Sequence, residues 1–210
     1  MCGVVLVGAA IHRGLVPFME CYHGVVSLGH GLRGSLDVEG TRTSFDAGRG
    51  YIEKDWGSSF PAGHVWMHSN HFDGDASASF VGSVAIIPWK RSSFRGFIIG
   101  LKHHDQLHVW ATYNGARELD LQIDDTHVRW ELEGPSGRLT IEALRSRGGL
   151  LAAPLRTAMH RRVEETLDAH VSLTHVDSAG RTVFSAPSEV TGMEVFGDID
   201  RLLAIGVRHA

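Results

Sequence analysis

The chain has 210 residues, enough to bury a sizeable core, and its 43% hydrophobic and 21% charged shares are those of an ordinary globular protein. A net charge of −4 with scattered lysines and arginines argues against a phosphate-tracking surface, so nucleic acid is not an expected partner. Cys2 and Cys21 are the only cysteines, which argues against a disulfide framework and for a reducing, cytoplasmic setting.

Residues 1 to 11 are apolar but too short to cross a bilayer, and they lack the basic start of a cleaved leader. The abrupt apolar opening suggests that an upstream portion is missing from this chain. From there the chain reads as a succession of strands. Phe18 to Leu28 alternates and is rich in β-formers. Leu32 to Glu39 and Thr41 to Phe45 flank Glu39-Gly40, a hairpin signal with glycine at the tight position. Val65 to Phe72 ends at Asp73-Gly74-Asp75. Ser79 to Pro88, Phe94 to Lys102 and Gln106 to Tyr113 follow, the last after a turn at His104-Asp105. Leu119 to Ile123, His127 to Leu132 and Arg138 to Arg145 complete an even ladder, the pattern of a barrel or sandwich.

Pro154 to Leu167 breaks that rhythm. Leu155, Ala158, Met159, Val163 and Leu167 fall at helical spacing, which predicts an amphipathic helix beginning near a proline. Strands over 169–176 and 182–185 follow, and a short closing helix is expected over 198–204. No repeat or linker divides the chain, so one domain over 1–210 is expected.

The segment Gly50 to Pro61 carries the densest chemistry. In a strand, Tyr51, Glu53 and Asp55 share one face and Ile52, Lys54 and Trp56 the other. Two carboxylates at i and i+2 repel, and burial would raise at least one pKa and keep an acid protonated near neutral pH. The competing reading is a solvated turn with a structural salt bridge to Lys54. Upstream, Glu20 and Tyr22 share one face and Cys21 and His23 the other. Glu20 at the start of an apolar strand reads equally as an edge or mouth residue. Trp66, His68, Asn70 and Phe72 share a face of the next strand, where a cross-strand aromatic ladder is the plainer interpretation.

Fourteen histidines invite a metal site, but His68 and His71 fall on opposite strand faces and His103 and His104 are adjacent. No HExxH or His-x-His pair accompanies them, so no metal is expected. Nucleophile elbows and phosphate loops are also absent.

The blocks PFMECYHGVVSL, GSLDVEG, FDAGRGYIEKDWGSSFP and VWMHSNHF, followed by SVAIIPW, SFRGFIIGL, ATYNGA, RSRGGLLAAP and GMEVFGDI, together resemble the tocopherol cyclase family and its bacterial relatives. The likeness runs in order from about Pro17 to Ile199. It implies an all-β fold, a lipocalin-like antiparallel β-barrel or sandwich with one or two short helices in the C-terminal third, related in architecture to carotenoid hydratases. It implies cyclisation of a prenylated hydroquinone to a chromanol, with no cofactor and a small hydrophobic isoprenoid or quinol ligand as partner. Relative to the family, this chain is shorter at its amino end and carries His68 where relatives often have Gln.

Closing a chromanol ring means protonating a trisubstituted alkene, after which the phenol oxygen attacks the tertiary cation. Such a site needs a dry acid, an apolar tunnel, π-faces over the cation and a base for the phenolic proton. Asp55 or Glu53 would be the acid and Glu20 or His23 the base. Tyr51, Trp56 and Trp66 would line the cation site, Asn70 would orient the ring hydroxyl, and His68 would lie in the same pocket. Lys54 would pair with a carboxylate. A non-catalytic carrier of prenyl lipids, quinones or carotenoids is the competing class, and hydration of an isoprenoid alkene a third. A shortened barrel would expose sheet edges, so a homo-oligomer or a rearranged single barrel is expected. Peripheral membrane contact is left open.

Overall fold

The computed structural model describes residues 21–89, 91–155 and 158–206. In chain order these form β1 (Cys21–Gly31), β2 (Ser35–Val38), β3 (Thr41–Ser44), β4 (Arg49–Gly57), β5 (Gly63–Ser69), β6 (Ser79–Trp89) and β7 (Ser92–His103). Next come β8 (Gln106–Ala111), β9 (Arg117–Ile123), β10 (His127–Gly134), β11 (Gly137–Leu144), β12 (Gly149–Leu155), β13 (Ala158–Val176), β14 (Thr182–Gly197) and α1 (Ile199–Ala204). Two of the tight hairpins show why the chain reverses where it does. Glu39-Gly40 and His104-Asp105 both have positive φ (51° and 79°, 47° and 58°), the geometry that matches a two-residue loop to the twist of its strands.

All named pairings are antiparallel, so the fold is the expected all-β, lipocalin-like barrel or sandwich. Ten strands make one sheet in the order β8-β7-β6-β5-β14-β13-β11-β10-β9, with β12 added to β13. Met67, Phe80, Leu101, Trp110, Trp130, Leu139 and Leu173, drawn from both halves of that order, are all buried in one cluster, so the sheet curls around a single core. Among the described residues no ladder joins its end strands β8 and β9. Side chains span that seam instead: the Trp110 indole donates to the Gly137 carbonyl at 2.8 Å. The Arg95 guanidinium pairs with Glu118 on β9 and donates to the Leu202 and Leu203 carbonyls of α1 at 2.9 and 3.0 Å. Glu118 also accepts from the Trp130 indole at 3.0 Å. The closing helix lies where the sequence predicts it, capped by Asp198. No helix among the described residues is long and apolar enough to cross a membrane.

The predicted helix over 154–167 is not formed. Arg156 and Thr157 lie outside the described residues, and the rest belongs to strands β12 and β13. The reason is pairing: β12 and the first half of β13 form an antiparallel ladder that takes the backbone hydrogen bonds a helix would need. β13 slips against β14 between Thr166 and Ala169 and again before Val171, as a β-bulge does. The residues at helical spacing therefore share no buried face: of them Val163 is buried, and the next buried positions on β13 are Thr166 and Ala169. Met159 and Leu167, assigned to the apolar helix face, are exposed instead.

At the end of β14, Gly197 has φ +82°, and a Cβ there would lie 2.0 Å from the Ala62 carbonyl oxygen. Gly197→Ala is therefore expected to destabilise the fold by about 2 kcal/mol, read as a lower denaturant midpoint with unchanged slope.

The remaining strands form a separate ribbon. β1 pairs with β4, and β2/β3 make the hairpin at its tip. Val25 and Leu28 of the ribbon bury against Val81 on β6, with Tyr51, Trp66, Leu107 and Val109 packed around them. Val81, Trp66 and Val109 alternate with the core residues Phe80, Met67 and Trp110, so the ribbon covers the outer face of the large sheet. That placement brings the acidic strand β4 over β5.

Candidate active site

Alternation along β4 works as the sequence predicts for the carboxylates: Glu53 is half-buried against the sheet, and Asp55 shares its face toward His23 at the more exposed end, while Ile52 is exposed on the other face. The Tyr51 hydroxyl and the Trp66 indole both donate to Oε2 of Glu53, the latter at 2.9 Å. Two donors on one oxygen leave Oε1 to carry a proton. The Glu53 side chain is 18% exposed. Burial pushes its carboxyl above the usual range, against the opposing pull of His23, Tyr51 and Trp66. Trp66→Phe removes one donor to the carboxylate, so it is expected to raise the Glu53 pKa further and move any Glu53-dependent alkaline limb of activity to higher pH. A pH–rate profile checks this.

On β1, His23 Nδ1 lies 2.8 Å from Asp55 Oδ1, and its Nε2 3.8 Å from Glu53 Oε2. Asp55 thus sets the ring so that Nε2 faces Glu53. Burial opposes the imidazolium, but the hydrogen bond that His23 donates to Asp55 and the charges of Glu53, Asp55 and Glu194 outweigh it, and the His23 pKa is raised. Cys21, on the same side of β1, is held as a thiol with its pKa pushed up to about 12 by burial and then by Asp55 and Glu53. Burial followed by Glu53 raises the Tyr51 phenol as well.

Two contributors were missed from sequence. Glu194 on β14 sits across from Trp66 in the ladder, and its Oε2 lies 3.0 Å from His64 Nε2. Burial and then Glu194 raise the pKa of Glu165, the next strand's partner in the ladder. The signal was present in GMEVFG, where a lone glutamate alternates with the inward Met193 and Val195. His64 likewise falls two residues before Trp66 and four before His68.

Of the other expected site residues, His68 joins the group through Tyr51, while Trp56 and Lys54 turn away from it. The Tyr51 ring stacks on His68 with centroids 3.6 Å apart, and burial drives the His68 pKa down to about 4, helped by His71 and Arg49. Asn70 is buried just past β5. Trp56 does not join the carboxylates: it stacks on Tyr22 at 5.5 Å on the opposite face of the ribbon. Lys54 shares that face and lies 5.5 Å above the Trp56 ring, so the expected salt bridge to a strand carboxylate is not made; alternation carries it away from Glu53 and Asp55. Glu20 lies outside the described residues.

Among the described residues, two groups of side chains could hold a metal ion. One is His23, Glu53 and Asp55; the other is His103, His108 and His175, each group with ligand atoms within 4.8 Å of one another. No convergent set was visible from spacing, because His175 reaches the other two only through the curl of the sheet. An open groove of about 600 Å³ lined by Arg95, Glu118 and β9 residues shares no residue with either group.

A family model described as tocopherol cyclase-like matches residues 14–197. The chloroplastic tocopherol cyclase of Zea mays is 24% identical over 194 residues, covering 86% of this chain and 40% of that protein. The probable chloroplastic tocopherol cyclase of Oryza sativa subsp. japonica is 21% identical over 193 residues, with the same coverage of 86% and 40%. The chain thus spans less than half the length of these relatives. Among solved structures, kievitone hydratase from Nectria haematococca is similar at 10% identity with a TM-score of 0.48, over 84% of this chain and 53% of that one.

Proposed function

The chain belongs to the tocopherol cyclase-like family, and from that premise we propose that it is a cyclase- or isomerase-type enzyme that closes a prenylated hydroquinone to a chromanol. The observation that carries this reading is Glu53, a half-buried carboxyl with raised pKa whose two donors both bind Oε2 beside the His23–Asp55 pair.

In this reading Oε1 of Glu53 gives its proton to the less substituted alkene carbon. The tertiary cation forms beneath the π-faces of Tyr51 and Trp66. The phenol oxygen attacks it, and His23 Nε2 receives the phenolic proton, with Asp55 stabilising the imidazolium. A C–H and a C–O bond form while the alkene π-bond and the O–H bond break, so mass is unchanged. The imidazolium then returns the proton to Oε1 of Glu53 and resets the acid, the two side chains lying 3.8 Å apart between Nε2 and Oε2. The prenyl tail would follow the apolar strip of Leu107 and Val109.

The test is incubation of the protein with a prenylated hydroquinone, followed by chromatography and mass measurement. An isomer of equal mass and altered retention is expected. Untouched ligand would identify a carrier, and a product heavier by one water a hydratase; either overturns the cyclase reading.

A further inference from the structure

On the inner face of the large sheet, away from the carboxylates, three imidazoles meet. His103 ends β7, His108 lies on β8 just beyond the shared tight turn, and His175 comes from β13, far along the sheet order. His103 and His175 are 4% and 1% exposed. His103 Nε2 lies 3.1 Å from His175 Nδ1. The ring centroids of His103 and His108, and of His108 and His175, are each 4.5 Å apart.

The His175 Nε2 is 2.6 Å from the Ser136 carbonyl, so Nε2 carries the proton and Nδ1 turns its lone pair into the cluster. A backbone carbonyl that fixes the far nitrogen in this way is the usual support of a metal-bound imidazole. By contrast, His103 Nδ1 and His108 Nε2 are buried and have no hydrogen-bond partner among the described residues. Buried polar nitrogens without partners are costly, and a shared cation is one way to satisfy such a group. The walls are aromatic: Trp110 stands 5.1 Å from His175 and Phe184 5.1 Å from His103. Asp75 acts on His103 from the adjoining turn, the carboxylate that offsets charge there.

The geometry points to a three-histidine site for a single divalent transition-metal ion of the zinc class, clamping the β7–β8 hairpin to β13 across the barrel interior. An all-nitrogen set without a carboxylate ligand favours zinc, cobalt, nickel or copper over magnesium or calcium. Tetrahedral ligands at zinc distances sit roughly 3.4 Å apart, against a largest separation within 4.8 Å here, so a small swing of one ring completes the triangle. The clamp lies near the seam where β8 and β9 share no ladder, which is where an added crosslink would hold the curl of the sheet.

The experiment uses the whole chain, stripped with chelator and titrated with Zn²⁺ by calorimetry and with Co²⁺ by visible absorption. One ion per chain with nitrogen-rich tetrahedral cobalt bands is expected. Thermal unfolding should rise by about 5–10 °C at a hundredfold excess over Kd. His108→Phe keeps the aromatic packing and should weaken binding at least ~100-fold, whereas Asp55→Asn, in the other possible ligand group, should leave it unchanged. Absence of binding, or binding lost in Asp55→Asn and kept in His108→Phe, overturns the site. Should His108→Phe fail to fold, X-ray absorption of the wild-type zinc complex decides: a first shell with three imidazole nitrogens supports the site, and a carboxylate-rich shell refutes it.

Discussion

Glu53→Gln is expected to lower ring closure by about 10²–10⁴-fold, the range for loss of a positioned proton donor, while ligand affinity and stability stay near those of the wild type. The glutamine carbonyl can still accept from Tyr51 and Trp66, so the two hydrogen bonds that hold the side chain survive. What disappears is the proton on the other oxygen. A merely structural carboxylate would behave differently, since the amide preserves its contacts. The pair of measurements is turnover of a prenylated hydroquinone and quenching of tryptophan fluorescence by the same ligand, which Trp66 should report. Turnover within threefold of wild type would remove Glu53 from the chemistry.

Asp55→Asn should act through a different coordinate. The hydrogen bond that His23 donates to Asp55 is the largest of the interactions that raise the His23 pKa, so weakening it lowers that pKa. If His23 must be neutral to take the phenolic proton, the acid limb of the pH profile then moves to lower pH. The two variants separate an acid from the residue that orients its base.

The strand ladder was legible because most of its turns carry local chemistry. Glu39-Gly40 and His104-Asp105 mark reversals that the backbone makes with positive φ, and most strands between them lie within a few residues of their predicted bounds. The face shared by Glu53 and Asp55 was legible for the same reason, since alternation is a property of one strand. What failed was what depends on a second strand. The pairing of β13 with β12 and β14 is invisible in β13 alone, so the helical spacing of Leu155, Ala158, Met159, Val163 and Leu167 passed for a helix. Glu194 and His64 come to the carboxylates through the β5–β14 ladder, and His175 meets His103 and His108 across the barrel. Neither juxtaposition has a signature in sequence distance. Trp56 shows the converse: its nearness in sequence to Asp55 suggested a shared site, while its parity put it on the other face with Tyr22.

His68 links the site to the stability of the fold, and the sign of its effect follows from its pKa. The folded value of about 4 lies below the ordinary 6.5, because burial, His71 and Arg49 all disfavour the cation. A base whose folded pKa is depressed takes up its proton more readily when unfolded. Its contribution to stability is complete above pH 6.5 and is lost progressively as pH falls toward 4, about 3 kcal/mol in all. His68→Gln has no such proton to gain. Urea unfolding at pH 7 and pH 4 should therefore show a loss of stability on acidification smaller by about 3 kcal/mol in the variant than in the wild type; equal losses would contradict the assignment. The same titration reaches the carboxylate, because His68 stacks on the Tyr51 ring whose hydroxyl holds Glu53. A cation formed on His68 would be held by the Tyr51 π-face, and its charge would favour the Glu53 carboxylate over the protonated acid. Protonation of His68 as the pH falls through about 4 should thus lower the Glu53 pKa in the wild type relative to His68→Gln.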